Sequence, residues 1–304
     1  MTDTAFSLAR TARTLALGLL LSALALPAPA AERDPAEILA LQIDMAGRQR
    51  MLSQRLVASA CFLSLGIQHD TQALALTEVS EIYEATLDRL EKGNTLLGLP
   101  AVTDPQALWA LRDARAAWGH VAPLAAAVRS GDTSPQTLRT LAQREPAVLS
   151  ASQAVVRALT SGLNIPADQA ARARATDMAG RQRMLSQAII KEACLLSRAQ
   201  AAGFDSARHH AAIEAHTDLF ELSMSMLRVG DDDAGVAPPP DIQTEEALDR
   251  SLLIWTDMRE LLDPALEGQA LSLDTLDDLA VAYETLLQEL EDIVWMTASA
   301  DQLP

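Results

Sequence analysis

The chain has 304 residues, about half of them apolar, with 24 Lys and Arg against 41 Asp and Glu and a formal charge of −17. That balance repels nucleic acid and anionic lipid, and two cysteines, Cys61 and Cys194, are too few to staple a small core-less fold. Aromatics are scarce while Ala and Leu abound, which favours helix over strand.

Residues 1–30 read as an export signal. Arg10 and Arg13 form a positive start, Leu15 to Leu26 an apolar run, and Ala28-Pro29-Ala30 a small-residue cleavage site. The run is shorter than the roughly 20 apolar residues that span a bilayer. The mature chain is therefore expected to be periplasmic, with no membrane span after cleavage.

Apolar periodicity then predicts eight helices, at about 36–65, 71–97, 105–129, 134–161, 168–202, 206–229, 244–262 and 272–299. Gly66, Gly98 with Pro100, Gly131-Asp132, Gly203, the stretch 231–240 and Pro264 to Gly268 separate them. The first four helices and the last four repeat each other. Asp44-Met-Ala-Gly-Arg-Gln-Arg-Met-Leu-Ser-Gln54 recurs without change as Asp177 to Gln187, and looser matches place Trp118 with Trp255 and Ser134 with Ser272. The offset drifts from 133 to 138, which predicts small insertions in the second unit's loops, notably 230–240. Short connections make each unit an up-down four-helix bundle. The expected fold is all-α: two tandem antiparallel bundles, 31–163 and 164–304, packed side by side about a pseudo-twofold axis.

On a helical wheel, Ile38, Leu41, Met45, Leu52, Leu56 and Leu63 share the bundle's core face. Gly47, Arg50, Met51, Gln54, Ala58 and Cys61 lie opposite, and Gly180, Arg183, Met184, Gln187 and Cys194 repeat that face. Small residues invite a close helix partner, most simply the other copy. Glycine inside a helix costs about 1 kcal/mol against alanine, so Gly47 and Gly180 need a packing reason. Asp44 and Arg48, like Asp177 and Arg181, are spaced to pair along the helix, whereas Arg50 and Arg183 have no acid at that spacing. Two guanidiniums brought together repel unless an anion lies between them. The residues leave two readings: an anion clamp made by Arg50 and Arg183 with Gln54 and Gln187, or a purely structural interface. Cys61 and Cys194 share the face, either as a disulfide across it or as two small buried thiols.

Elsewhere, His209, His210, Glu214 and His216 read as a solvated face without a metal-site pattern, and the four tryptophans as core. No nucleophile–base arrangement, cofactor motif or phosphate loop is present, so no enzyme and no cofactor is expected.

The segment Ile43 to Leu56 resembles the signature helix of the PilJ-type domain, the N-terminal domain of type IV pili methyl-accepting chemotaxis transducers. It is also similar to the periplasmic sensor domain of nitrate/nitrite sensor kinases. The resemblance implies a four-helix bundle whose first helices hold nitrate between two copies. It places the ligand-binding arginine, three residues after the motif glycine, at Arg50 and Arg183, and a second motif arginine at Arg55, where the second unit has Ala188. The expected function is a periplasmic binder or sensor of a small oxyanion such as nitrate or nitrite. It would report to a membrane sensor kinase, chemoreceptor or transporter. The alternative is a ligand-free helical adaptor for such a complex.

Overall fold

A computed structural model describes residues 35–161 and 167–299. The proposed export signal and the joint between the units, residues 162–166, lie outside them. Eight long helices follow in order: α1 Pro35–Leu65, α2 His69–Lys92, α3 Pro105–Arg129, α4 Pro135–Thr160, α5 Ala167–Ala201, α6 Ala207–Val229, α7 Ile242–Leu266 and α8 Leu273–Ser299. Among the described residues there is no strand, and no helix is long and apolar enough to cross a membrane.

In each unit the first helix packs on the second and fourth, and the third closes the ring. α1 and α5 join the units along a shared seam, so the fold is two four-helix bundles side by side. α1 therefore has neighbours on several sides, and every residue from Gln49 to Gln54 is buried. Local signals set the helix starts. Asp104, Ser134 and Asp241 accept hydrogen bonds from the backbone N–H three residues on, and Pro105 and Pro135 occupy first-turn positions where no donor is needed.

Two helix ends depart from the sequence reading. α2 stops at Lys92 because Gly93 turns the chain at φ 77°, where a side chain would press within 3 Å of the Leu99–Ala101 backbone. Gly230 makes the matching turn at φ 77° after α6. α7 runs through Pro264 to Leu266.

The insertion also lies elsewhere than expected. Gly66 and Gly203 end α1 and α5 with the same pair of bonds, Ile67 N–H to Phe62 O and Phe204 N–H to Ala199 O. These sites are already 137 residues apart, against 133 at the cysteines. The extra four residues are one additional turn of α5, not a loop at 230–240. Of the tryptophans, Trp118 and Trp255 are core, and each donates its indole N–H to an acid of the preceding helix, Glu84 or Glu221. Trp109 and Trp295 are exposed instead.

Candidate functional site at the seam

α1 and α5 run parallel and in register. Cys61 and Cys194 are joined by a disulfide with their Cα atoms 6.2 Å apart. Four turns towards the helix starts, Gly47 and Gly180 open the room that Arg50 and Arg183 fill. A Cβ at Gly47 would lie 3.3 Å from Arg50 Nη2; one at Gly180 would lie 3.6 Å from Arg183 Nη2 and 3.9 Å from Arg50 Nη2. Both guanidiniums thus converge on Gly180; a Cβ would be crowded at Gly47 and would make ordinary contact at Gly180.

The arginines are 8% and 4% exposed, so their charges need partners. Each finds one on the opposite repeat. Arg50 Nη2 donates to Asp177 Oδ1 at 3.2 Å, and its Nε donates to the Gly47 carbonyl. Arg183 Nη2 lies 3.6 Å from Asp44 Oδ1, and Nη1 lies 3.7 Å from Glu291 Oε1 of α8. Burial pushes the Arg183 guanidinium below its ordinary value, Asp44 and Glu291 pull it back up, and Arg48 adds to the downward push. Asp177 also holds Arg181 at 2.6 Å, as the helix spacing predicts. The matching Asp44–Arg48 bond is not made: Arg48 lies 3.8 Å from Glu291, and Asp44 faces Arg183. The carboxylates that hold the buried arginines are 35–44% exposed in their side chains and touch them at single points.

The remaining expected site residues have other neighbours. Gln54 Nε2 donates to Glu145 Oε1 of α4 at 2.7 Å. Gln187 is fully buried, with neither amide atom hydrogen-bonded among the described residues, and Arg183 Nε is likewise unpaired. Arg55 pairs with Glu284 of α8 at 2.6 Å, so its guanidinium bridges the bundles.

Next to the seam lies a buried ionic chain that sequence reasoning missed. Glu145, 1% exposed, accepts from Ser53, Gln54 and Lys191. Lys191 also pairs with Glu192 at 2.8 Å, and Glu192 accepts from His209 Nδ1 at 2.5 Å. His209 is therefore a buried member of this chain, not part of a solvated face. Burial pushes the Glu192 carboxyl up, but the His209 hydrogen bond and the Lys191 ammonium outweigh it and bring it down to about 2. Burial alone would lower Lys191; Glu145 and Glu192 together raise it. One signal for this chain was in the repeat: Lys191 and Glu192 stand where the first unit has Ala58 and Ser59.

No curated protein matches the chain. The family described as type IV pili methyl-accepting chemotaxis transducer N-terminal domain, PilJ, matches it twice, over residues 36–155 and 167–281. The first match spans α1 to α3 and most of α4, the second spans α5 to α7 and the start of α8, and each includes one copy of the seam motif. That family is one of signal-transducing input domains, not of catalysts. The chain belongs to the PilJ family, as two copies in tandem.

Proposed function

We propose that this tandem PilJ protein is a periplasmic, non-enzymatic input module that detects a small oxyanion, nitrate or nitrite by preference, between α1 and α5. The observation that carries this reading is the seam itself. Two buried guanidiniums converge on Gly180, and each is held by single contacts to half-exposed carboxylates of the other repeat. An oxyanion offers a planar guanidinium two acceptors at once, a stronger arrangement than a one-point contact. It would replace Asp44 and Asp177, release both to solvent, and take up donors such as Arg183 Nε. The disulfide holds the far end of the seam, so exchange of partners at the near end becomes a relative shift of α1 and α5. A membrane receptor, sensor kinase or transporter would read that shift. Family membership favours this sensory role over a ligand-free adaptor.

The test is thermal unfolding of the purified chain at constant ionic strength with nitrate, nitrite, sulfate or chloride added. Nitrate or nitrite should raise the melting temperature by mass action. Arg50→Ala with Arg183→Ala should abolish that rise, whereas Asp44→Asn with Asp177→Asn should enlarge it by removing the competing carboxylates. No shift with any anion at millimolar concentration would sink the anion reading.

A further inference from the structure

A second cationic feature lies away from the seam, at the end of the molecule where α4 begins and α5 ends. A cavity of about 160 Å3 opens there between α4, α5 and α6. Arg139, Arg198 and Arg208 line it, with His209 among its walls. The three arginines make no ion pair with a carboxylate among the described residues. Asp205, the one acid on the wall, accepts from the Ala207 N–H at the start of α6.

Neutral or aromatic groups hold the three in place. Arg139 stacks over the Phe204 ring, 5.2 Å from its centroid. Arg208 Nε donates to His209 Nε2 at 3.3 Å. Arg198 reaches only the Thr133 carbonyl, at 3.5 Å, and its Nε is buried without a partner. The first turn of α4, a helix of 26 residues, contributes Pro135 and Leu138 to the wall, and the positive end of its dipole adds to the field.

We propose that this cavity binds a small multivalent oxyanion, with Arg139, Arg198 and Arg208 as its counter-charges. Three guanidiniums without acids call for more than one negative charge on oxygen, the chemistry shared by inorganic phosphate, phosphomonoesters and dicarboxylates. The site is distinct from the seam. Its wall residue His209 is nonetheless the outer end of the buried chain His209–Glu192–Lys191–Glu145, which reaches Ser53 and Gln54 of α1.

Calorimetric titration of the whole chain with inorganic phosphate, glycerol phosphate and succinate at constant ionic strength tests the proposal and separates the sources. At least one should bind, and nitrate should not displace it. Arg139 and Arg208 are exposed, so Arg139→Ala with Arg208→Ala should fold normally. It should weaken binding by about tenfold or more, the loss expected for charge-assisted hydrogen bonds. Arg50→Ala with Arg183→Ala should leave this binding unchanged, which keeps the outcome separate from that at the seam. Absence of heat with all three probes would overturn the proposal. So would binding that survives Arg139→Ala with Arg208→Ala, or that is lost with the seam arginines instead.

Discussion

The two sides of the seam are built on the same helix and differ in the residues around it. Where the second repeat places Lys191 and Glu192, the first has Ala58 and Ser59; where α4 carries Glu145, α8 carries Tyr283; where α6 carries His209, α2 carries Gln72. One side is a buried chain of four ionisable groups, hydrogen-bonded from His209 to Ser53. The equivalent positions on the other side are uncharged: Tyr283 stacks on Phe62, and Ser59 Oγ, Gln72 Oε1 and the Gln187 amide are buried without hydrogen bonds among the described residues. Each unit also sends one cation across the seam from a position where its copy has alanine, Arg55 to Glu284 and Lys191 to Glu145. The arginines Arg50 and Arg183 are common to both repeats. The unequal surroundings should give the two halves different stability and different sensitivity to pH.

The sharpest way to break the relation between the halves is to cut the bond that ties them. The disulfide closes a loop of 133 residues, and chain-entropy arguments assign such a closure about 5 kcal/mol. Cys61→Ser with Cys194→Ser should lower the unfolding free energy by up to that amount in denaturant titration. It should also separate the unfolding of the two bundles.

The next largest effect should fall on the charged side alone. Lys191→Ala leaves Glu145 and Glu192 buried without their cation and should cost about 3–5 kcal/mol. Adding Glu145→Gln to it should recover part of the loss. Arg55→Ala removes the corresponding bridge on the other side, where Glu284 has a 37% exposed side chain, and should cost about 1 kcal/mol or less. Equal losses from the two single variants would contradict this contrast between the two sides.

Acid should weaken the charged side first. Glu192 is held at about 2, below its ordinary 4.5, so the unfolded chain binds that proton more readily. The stabilisation is complete above about pH 4.5 and is lost as pH falls towards 2. Burial lowers His216, and Lys191 lowers it further against the pull of Glu192 and Glu145. Its protonation is therefore disfavoured in the folded chain, and stability falls below the ordinary histidine value of 6.5 as well. Melting curves between pH 7 and 3 should show this decline, and Glu192→Gln should flatten it below pH 4.5.

The smallest effect concerns the glycines. A Cβ at Gly180 would make ordinary contact with both arginine tips, whereas one at Gly47 would crowd Arg50 at 3.3 Å. Gly180→Ala should stabilise the helix by at most about 1 kcal/mol, and Gly47→Ala by less, as read from melting temperatures.

Most of the fold was legible because the repeat doubled every signal. Eleven identical residues from Asp44 to Gln54 fixed the correspondence of α1 and α5, and glycines marked the helix ends. The wheel isolated Arg50 and Arg183 because no acid stands one turn away. It could not show that Asp177 and Asp44 would reach them from the other repeat, since that depends on how the two helices lie together. The buried chain was hidden for a related reason. Glu145 and Lys191 lie 46 residues apart on different helices, and each reads alone as an ordinary surface charge. The insertion was misplaced because periodicity does not distinguish an added helical turn from a longer loop; the matched caps at Gly66 and Gly203 make that distinction.

The Cys61–Cys194 bond has one more consequence. A seam formed between two separate subunits comes apart on dilution, so its affinity for any ligand depends on how much protein is present. Here both faces belong to one covalently closed chain, and their effective concentration towards each other is set by that closure. The seam's composition is thus independent of copy number. A self-pairing subunit must repeat every substitution on both faces; this chain is free of that constraint, and Lys191 opposite Ala58 is the result.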